Sequence, residues 1–148
     1  MALQKMIRLA ILAHGLLMLV PTGTFAQESE AGLVVVDMSI CQAIDRVARI
    51  PVGSSENFPA GLDRLYCFTR LTGADENTTI THVWFHEGRS RARVSLNVQS
   101  SDWRTWSSKA LLPAWTGAWE VRVLDENGLV LKSLAFEVTG EPGVEEGM

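Results

Sequence analysis

Residues 81–109 read THVWFHEGRSRARVSLNVQSSDWRTWSSK and hold three of the five tryptophans, two of the three histidines and the densest run of arginines. Glu87-Gly88 divides the first part of this stretch. On either side, 79–86 and 89–98 are rich in β-branched and aromatic residues, which predicts a β-hairpin. With a two-residue loop, His86 faces Arg89, Trp84 faces Arg91 and His82 faces Arg93. Cross-strand partners share a face, so these six side chains fall on one side. Thr81, Val83 and Phe85 fall on the other, with Ser90, Ala92 and Val94. The His/Trp/Arg side then has two readings. It is a basic aromatic binding face, or Trp84 is buried between two sheets with His82 as a core histidine and the arginines near an edge.

Strand signals continue outward in both directions. Upstream, 33–40 and 62–71 read as strands, with Val34, Val36, Met38 and Ile40 sharing one face of the first. Between them, Pro51, Gly53, Pro59 and Gly61 mark 42–61 as an irregular connection, with room for a short helical turn near 42–47. Downstream, Ser100–Asp102 turns the chain into a strand over 103–109. Residues 117–125 alternate, Trp119, Val121 and Val123 against Glu120 and Arg122. Asn127-Gly128 is a hairpin turn, and 130–138 return. About seven strands with turns at regular spacing predict an all-β fold, an immunoglobulin-like antiparallel β-sandwich over 33–138. A small β-barrel is the other architecture. Trp103, Trp106, Trp115 and Trp119 are expected in core and corner positions rather than as ligand platforms.

The ends of the chain read differently. Lys5 and Arg8 precede a twelve-residue apolar run, LAILAHGLLMLV (9–20), then Pro21 and the small residues Thr24 and Ala26. That is the pattern of a secretory signal peptide over 1–26. The apolar run is well short of the roughly 20 residues of a bilayer span, so no stable membrane span is expected after cleavage. Residues 27–32 form a polar linker, and 139–148, TGEPGVEEGM, a disordered acidic tail. Both cations of 1–26 leave with the signal, so 11 basic and 17 acidic groups remain, a net charge of −6. An acidic domain is a poor partner for nucleic acid, whose binding rests on neutralising phosphates. In an oxidising compartment, Cys41 and Cys67 are expected to form a disulfide closing a loop of about 27 residues, worth roughly 3–4 kcal/mol in the chain-entropy account. Strand parity opposes that bridge unless Cys41 lies beyond its strand's end.

Few residue types suited to catalysis are present. A Ser-His-Asp set can be drawn from Ser107 or Ser108, His82 and Asp102, but it requires mutual hydrogen-bond reach that spacing does not establish. His82 and His86 stand roughly 13 Å apart along a regular strand, too far to share one ion. No metal and no cofactor are expected. What remains is charge. Between Arg89 and Lys109 there are five basic residues and one acid, Asp102, a positive island in an acidic domain. His82, Trp84, His86, Arg89, Arg91 and Arg93 are therefore the candidate partner-binding residues, since arginine pairs bidentately with carboxylate or phosphate and stacks on aromatic rings.

The runs L-Y-C-F-T (65–69), H-x-W (82–84), W-R-T-W-S-S-K (103–109) and W-T-G-x-W-x-V-x-V-x-D-x-x-G-x-x-L (115–131) resemble the bacterial domain of unknown function family 2914. R-I-P-V-G (49–53) is similar to that family's R-E-P-V-G stretch, with Ile50 in place of the acid. The resemblance spans roughly 33–138. It implies a bacterial, exported or membrane-tethered domain with an immunoglobulin-like fold, and it implies no known activity. Together these observations lead to a non-enzymatic, exported β-sandwich that binds an envelope protein or an anionic glycan. The alternatives are an accessory domain without a ligand and a hydrolase built on the 103–109 loop.

Overall fold

The computed structural model describes residues 32–140, and the expected signal peptide (1–26), most of the expected polar linker and most of the expected acidic tail lie outside them. Ten strands are present: β1 Val34–Cys41, β2 Ala43–Asp45, β3 Ile50–Val52, β4 Asn57–Pro59, β5 Arg64–Thr72, β6 Thr78–His86, β7 Arg89–Val98, β8 Asp102–Ala110, β9 Gly117–Leu124 and β10 Val130–Thr139. The count is ten rather than seven because the connection expected to be irregular contributes three short strands. Each is only three residues long, too short for alternation to register in sequence. No helical turn forms near 42–47; Ala43–Asp45 pairs with Ile50–Val52 instead.

Two sheets face each other, β1-β5-β8 and β4-β10-β9-β6-β7, while β2 and β3 form a separate hairpin. Each long strand turns alternate residues inward. Leu65, Cys67 and Leu71 of β5 meet Ile80 and Trp84 of β6 and Val121 and Val123 of β9, all fully buried. Trp84 packs edge-on against Phe136 at 6.2 Å, and Trp119 stacks on the same ring at 5.9 Å. A buried aromatic of this size dominates the local packing energy, and truncating Trp84 to alanine removes about 3–5 kcal/mol.

Two bulges alter the faces that simple alternation assigns. In β1 the register against β5 slips between Val35 and Asp37, so Val35 turns into the core. Val34 and Val36, expected to share a face with Met38 and Ile40, are exposed on the edge strand while those two are buried. In β7 the slip falls opposite Trp84 and Phe85. The hairpin begins as expected, with His86 opposite Arg89 and Phe85 opposite Ser90, and with Glu87 and Gly88 both at positive φ in the loop. Arg91 is then an extra residue, so Trp84 faces Ala92, Val83 faces Arg93 and His82 faces Val94. A bulge shifts every later residue by one, which exchanges the faces of the strand. Ala92, Val94 and Leu96 therefore turn inward and Arg93 turns out.

The expected Cys41–Cys67 disulfide is absent: both cysteines are free and fully buried. Cys67 pairs with Ile40 across β1 and β5, whereas Cys41 pairs with Tyr66, so the thiols sit on opposite faces of one sheet. The thiol of Cys41 points toward the Tyr66 carbonyl at 3.8 Å. Cys41 remains within β1, so strand parity governs it. Burial raises the pKa of both thiols, most strongly that of Cys67, and so suppresses the reactive thiolate. Native protein is expected to resist alkylation under conditions that label two thiols per chain once it is unfolded. A non-reducing intact mass two hydrogens lower, with no label after unfolding, would establish the bridge instead.

Candidate functional site

The sequence's six candidate residues divide between the core and the surface. His82 and Trp84 are fully buried and His86 nearly so, whereas Arg89, Arg91 and Arg93 are exposed. His82 lies at the centre of a hydrogen-bonded chain joining the two sheets. Its Nδ1 is 2.7 Å from Ser107 Oγ, and its Nε2 is 3.3 Å from Thr69 Oγ1. Trp84 Nε1 donates to Ser107 Oγ at 3.0 Å, and Thr69 Oγ1 donates to the Thr105 carbonyl at 3.3 Å. One proton arrangement satisfies every group. The indole donates to Ser107, Ser107 to Nδ1, Nε2–H to Thr69, and Thr69 to the carbonyl. That requires a neutral imidazole. A proton on Nδ1 would leave the Ser107 hydroxyl without an acceptor.

This chain also settles the geometry of the drawn Ser-His-Asp set. Ser107 is in contact with His82, but Asp102 is not. Asp102 lies on the outer side of β8 and accepts two hydrogen bonds from Arg70, at 2.9 and 2.6 Å. The far nitrogen of His82 faces a threonine, and the Ser107 hydroxyl is sealed from solvent.

Burial depresses the pKa of His82 from 6.5 to about 4. The unfolded chain therefore binds a proton between those values that the folded chain refuses. Stability from this residue is complete above pH 6.5 and is lost as pH falls toward 4, by roughly 3 kcal/mol over the window. Urea unfolding of wild type and His82→Gln at pH 7 and pH 4.5 should show the wild-type advantage shrinking by most of that amount. A pH-independent difference would contradict a neutral buried His82.

On the surface, the basic residues gather around Trp115, expected from sequence in a core or corner position and found half-buried. The Arg91 guanidinium lies over the Trp115 ring at 5.1 Å and the Lys109 ammonium at 4.7 Å. His86 stacks on the same ring at 6.0 Å and fixes its depth, its Nε2 donating to the Thr116 carbonyl at 2.7 Å. Three features build the platform. The bulge places Arg91 outside the regular ladder, which frees its side chain to turn toward the 111–116 loop. Glu87 ties the hairpin tip to β9: its backbone N–H bonds the Ala118 carbonyl, and its Oε1 accepts from the Ala118 N–H. Gly117, at φ +100, leaves room for that carboxylate, which a Cβ would meet at 2.0 Å.

Among the described residues, no ion pair compensates the charge at the platform. Arg64 donates to Ser108 Oγ at 2.6 Å beside Lys109. Partial burial lowers the pKa of Lys109 first, and the nearby positive charges of Arg64 and Arg91 lower it further. The ion pairs among the described residues lie elsewhere, Arg70 with Asp102 and Arg122 with Glu120. Arg93 does not join the platform. It stands on the outer face of the five-stranded sheet across from Val83, whose other neighbour, Arg122, covers Phe85 at 4.4 Å. Trp119 is core, Trp103 is half-buried against the core edge, and Trp106 is half-buried on the outer face of the smaller sheet.

The paired sheets and the tryptophan packed between them define an immunoglobulin-like β-sandwich. Consistent with this class, an immunoglobulin-like protein from Pseudomonas aeruginosa, solved by crystallography, matches with a TM-score of 0.50 at 13% sequence identity, over 75% of this chain and 99% of that one. The family model described as "Protein of unknown function (DUF2914)" matches residues 77–138. The W-R-T-W-S-S-K and W-T-G-x-W motifs lie inside the match, whereas R-I-P-V-G and L-Y-C-F-T precede it. Comparison with curated proteins returns no significant match.

Proposed function

We propose that this chain is an exported, non-enzymatic binding module of the bacterial envelope that engages an anionic partner through the Trp115 platform. The observation that carries the proposal is the stacking of Arg91 and Lys109 on one half-buried indole, with Arg64 alongside and, among the described residues, no carboxylate pairing any of the three. Like charges held together at a surface are unfavourable unless something answers them, and an anionic ligand does so. Stacking fixes the cations in place, which reduces the entropy lost when they bind. Export is supported by the pattern of residues 1–26. A non-enzymatic role is supported by the sealed His82–Ser107 contact and by the separation of Asp102 from it. Among the described residues no helix is long and apolar enough to cross a membrane.

Crosslinked pull-down from envelope extracts tests the proposal. Arg91→Glu combined with Lys109→Glu should abolish capture while leaving the melting temperature within a few degrees of wild type. Arg93→Glu, on the other face, should capture normally. Wild-type capture should weaken as salt rises from 0.05 to 0.5 M, because exposed charges are screened. Equal capture by the double variant would refute the site.

A further inference from the structure

The far end of β8 carries a second basic aromatic cluster. It lies about 20 Å from Lys109 by strand rise. The β2–β3 hairpin folds against β1 and β5 and carries residues 46–49 toward β8. There the Arg49 guanidinium lies over both Trp103 and Trp106, at 5.1 and 5.8 Å, and that of Arg46 lies over Trp106 at 5.9 Å. The contacts are reciprocal. Arg49 Nη2 donates to the Arg104 carbonyl, and Arg104 Nη1 donates to the Ala48 carbonyl at 3.4 Å. Arg49 holds a left-handed backbone, φ 54, which costs a non-glycine residue energy. The Asp45 carboxylate stabilises the turn by accepting from the Val47 and Ala48 N–H groups. Strain of this kind persists where surrounding contacts over-determine it, and it clusters at binding sites.

Beside these stacked guanidiniums lies a cleft of about 390 Å³ lined by Arg49, Ser100, Asp102, Trp103 and Arg104. A second hollow of about 310 Å³ shares Arg49, Trp103 and Arg104 and adds Asn97, Gln99 and Thr105 to the lining. The one carboxylate, Asp102, is occupied by Arg70 through two hydrogen bonds. Arg49 and Arg104 therefore face a space whose remaining walls are amides, hydroxyls and indoles, and Arg46 stands beside it on the Trp106 ring. Guanidinium forks match a carboxylate or phosphate, and neutral amides and hydroxyls match a hydroxyl-rich ligand.

We infer that this cleft is a second binding site, distinct from the Trp115 platform, for an acidic sugar whose carboxylate or phosphate is held by Arg46, Arg49 and Arg104. The stack on Trp103 and Trp106 orients the guanidiniums before the ligand arrives. Asn97 and Gln99 supply hydrogen bonds for the ring hydroxyls.

The chain has five tryptophans, so its indole N–H resonances report each site separately. Uniformly ¹⁵N-labelled full-length protein is titrated with galacturonate, with glucose 6-phosphate and with neutral galactose. Saturable shifts of the Trp103 and Trp106 indoles are expected with one or both acids, with half-saturation at or below about 1 mM, and none with galactose. The arm that responds identifies the anionic group. Arg49→Gln should weaken binding at least ~10-fold. Arg46→Gln, on an exposed turn where folding is not at stake, should weaken it measurably. Absence of saturable shifts at Trp103 and Trp106, shifts confined to Trp115, or unchanged affinity in both variants would overturn the assignment. Shifts confined to Trp115 would at the same time support the first site.

Discussion

The two sheets are fastened through one polar chain in an otherwise apolar interior. Trp84, Ser107, His82 and Thr69 hand hydrogen bonds along a line that crosses from β6 to β8 and β5. Buried polar groups cost energy unless each donor meets an acceptor, and here the order of groups leaves none unmet. Apolar burial is non-directional, so it fixes the alignment of two sheets through side-chain fit alone. A directional chain between them permits a single alignment. The position of the surface groups on β7 and β8, among them Arg91, Arg104 and Lys109, follows from that alignment.

The bulge at Arg91 acts within this frame. Without the extra residue, Arg93 would point into the core beside His82, and Val94 would be outside. With it, β7 presents Ala92, Val94 and Leu96 to the interior, and the extra residue itself is released toward Trp115. One inserted residue thus closes the core and positions a cation. The Glu87–Ala118 contacts and the absent side chain at Gly117 then hold the hairpin tip against the loop that carries Trp115.

Both basic clusters have the same construction, an indole half-buried by the fold with cations stacked on it. Lys109 and Arg91 meet on Trp115, and Arg49 and Arg46 meet on Trp103 and Trp106. Arg91 reaches Trp115 from β7, and Arg46 and Arg49 reach Trp103 and Trp106 from the β2–β3 turn, in each case from a segment distant in sequence. A stacked cation keeps its hydrogen-bonding edges while losing much of its rotamer freedom, which suits an anion-binding role.

The long strands, the hairpin turns at Glu87-Gly88 and Asn127-Gly128, and the sandwich class were legible from alternation and turn chemistry, because those signals are local. Short strands β2 to β4 were not legible, since three residues cannot establish a period. Of the candidate site, sequence alone found the positive island and its arginines. It placed His82 and Trp84 on the same face as those arginines because regular pairing was the only register available without coordinates. Which residue bulges, and so which side of β7 faces water, depends on how the second sheet closes over the first. The pairing of Arg91 with Trp115 and of Arg49 with Trp103, and the separation of Cys41 from Cys67 across one sheet, likewise arise from contacts between distant segments. Residue identity and spacing determined which elements form, whereas only tertiary packing decided which faces they show.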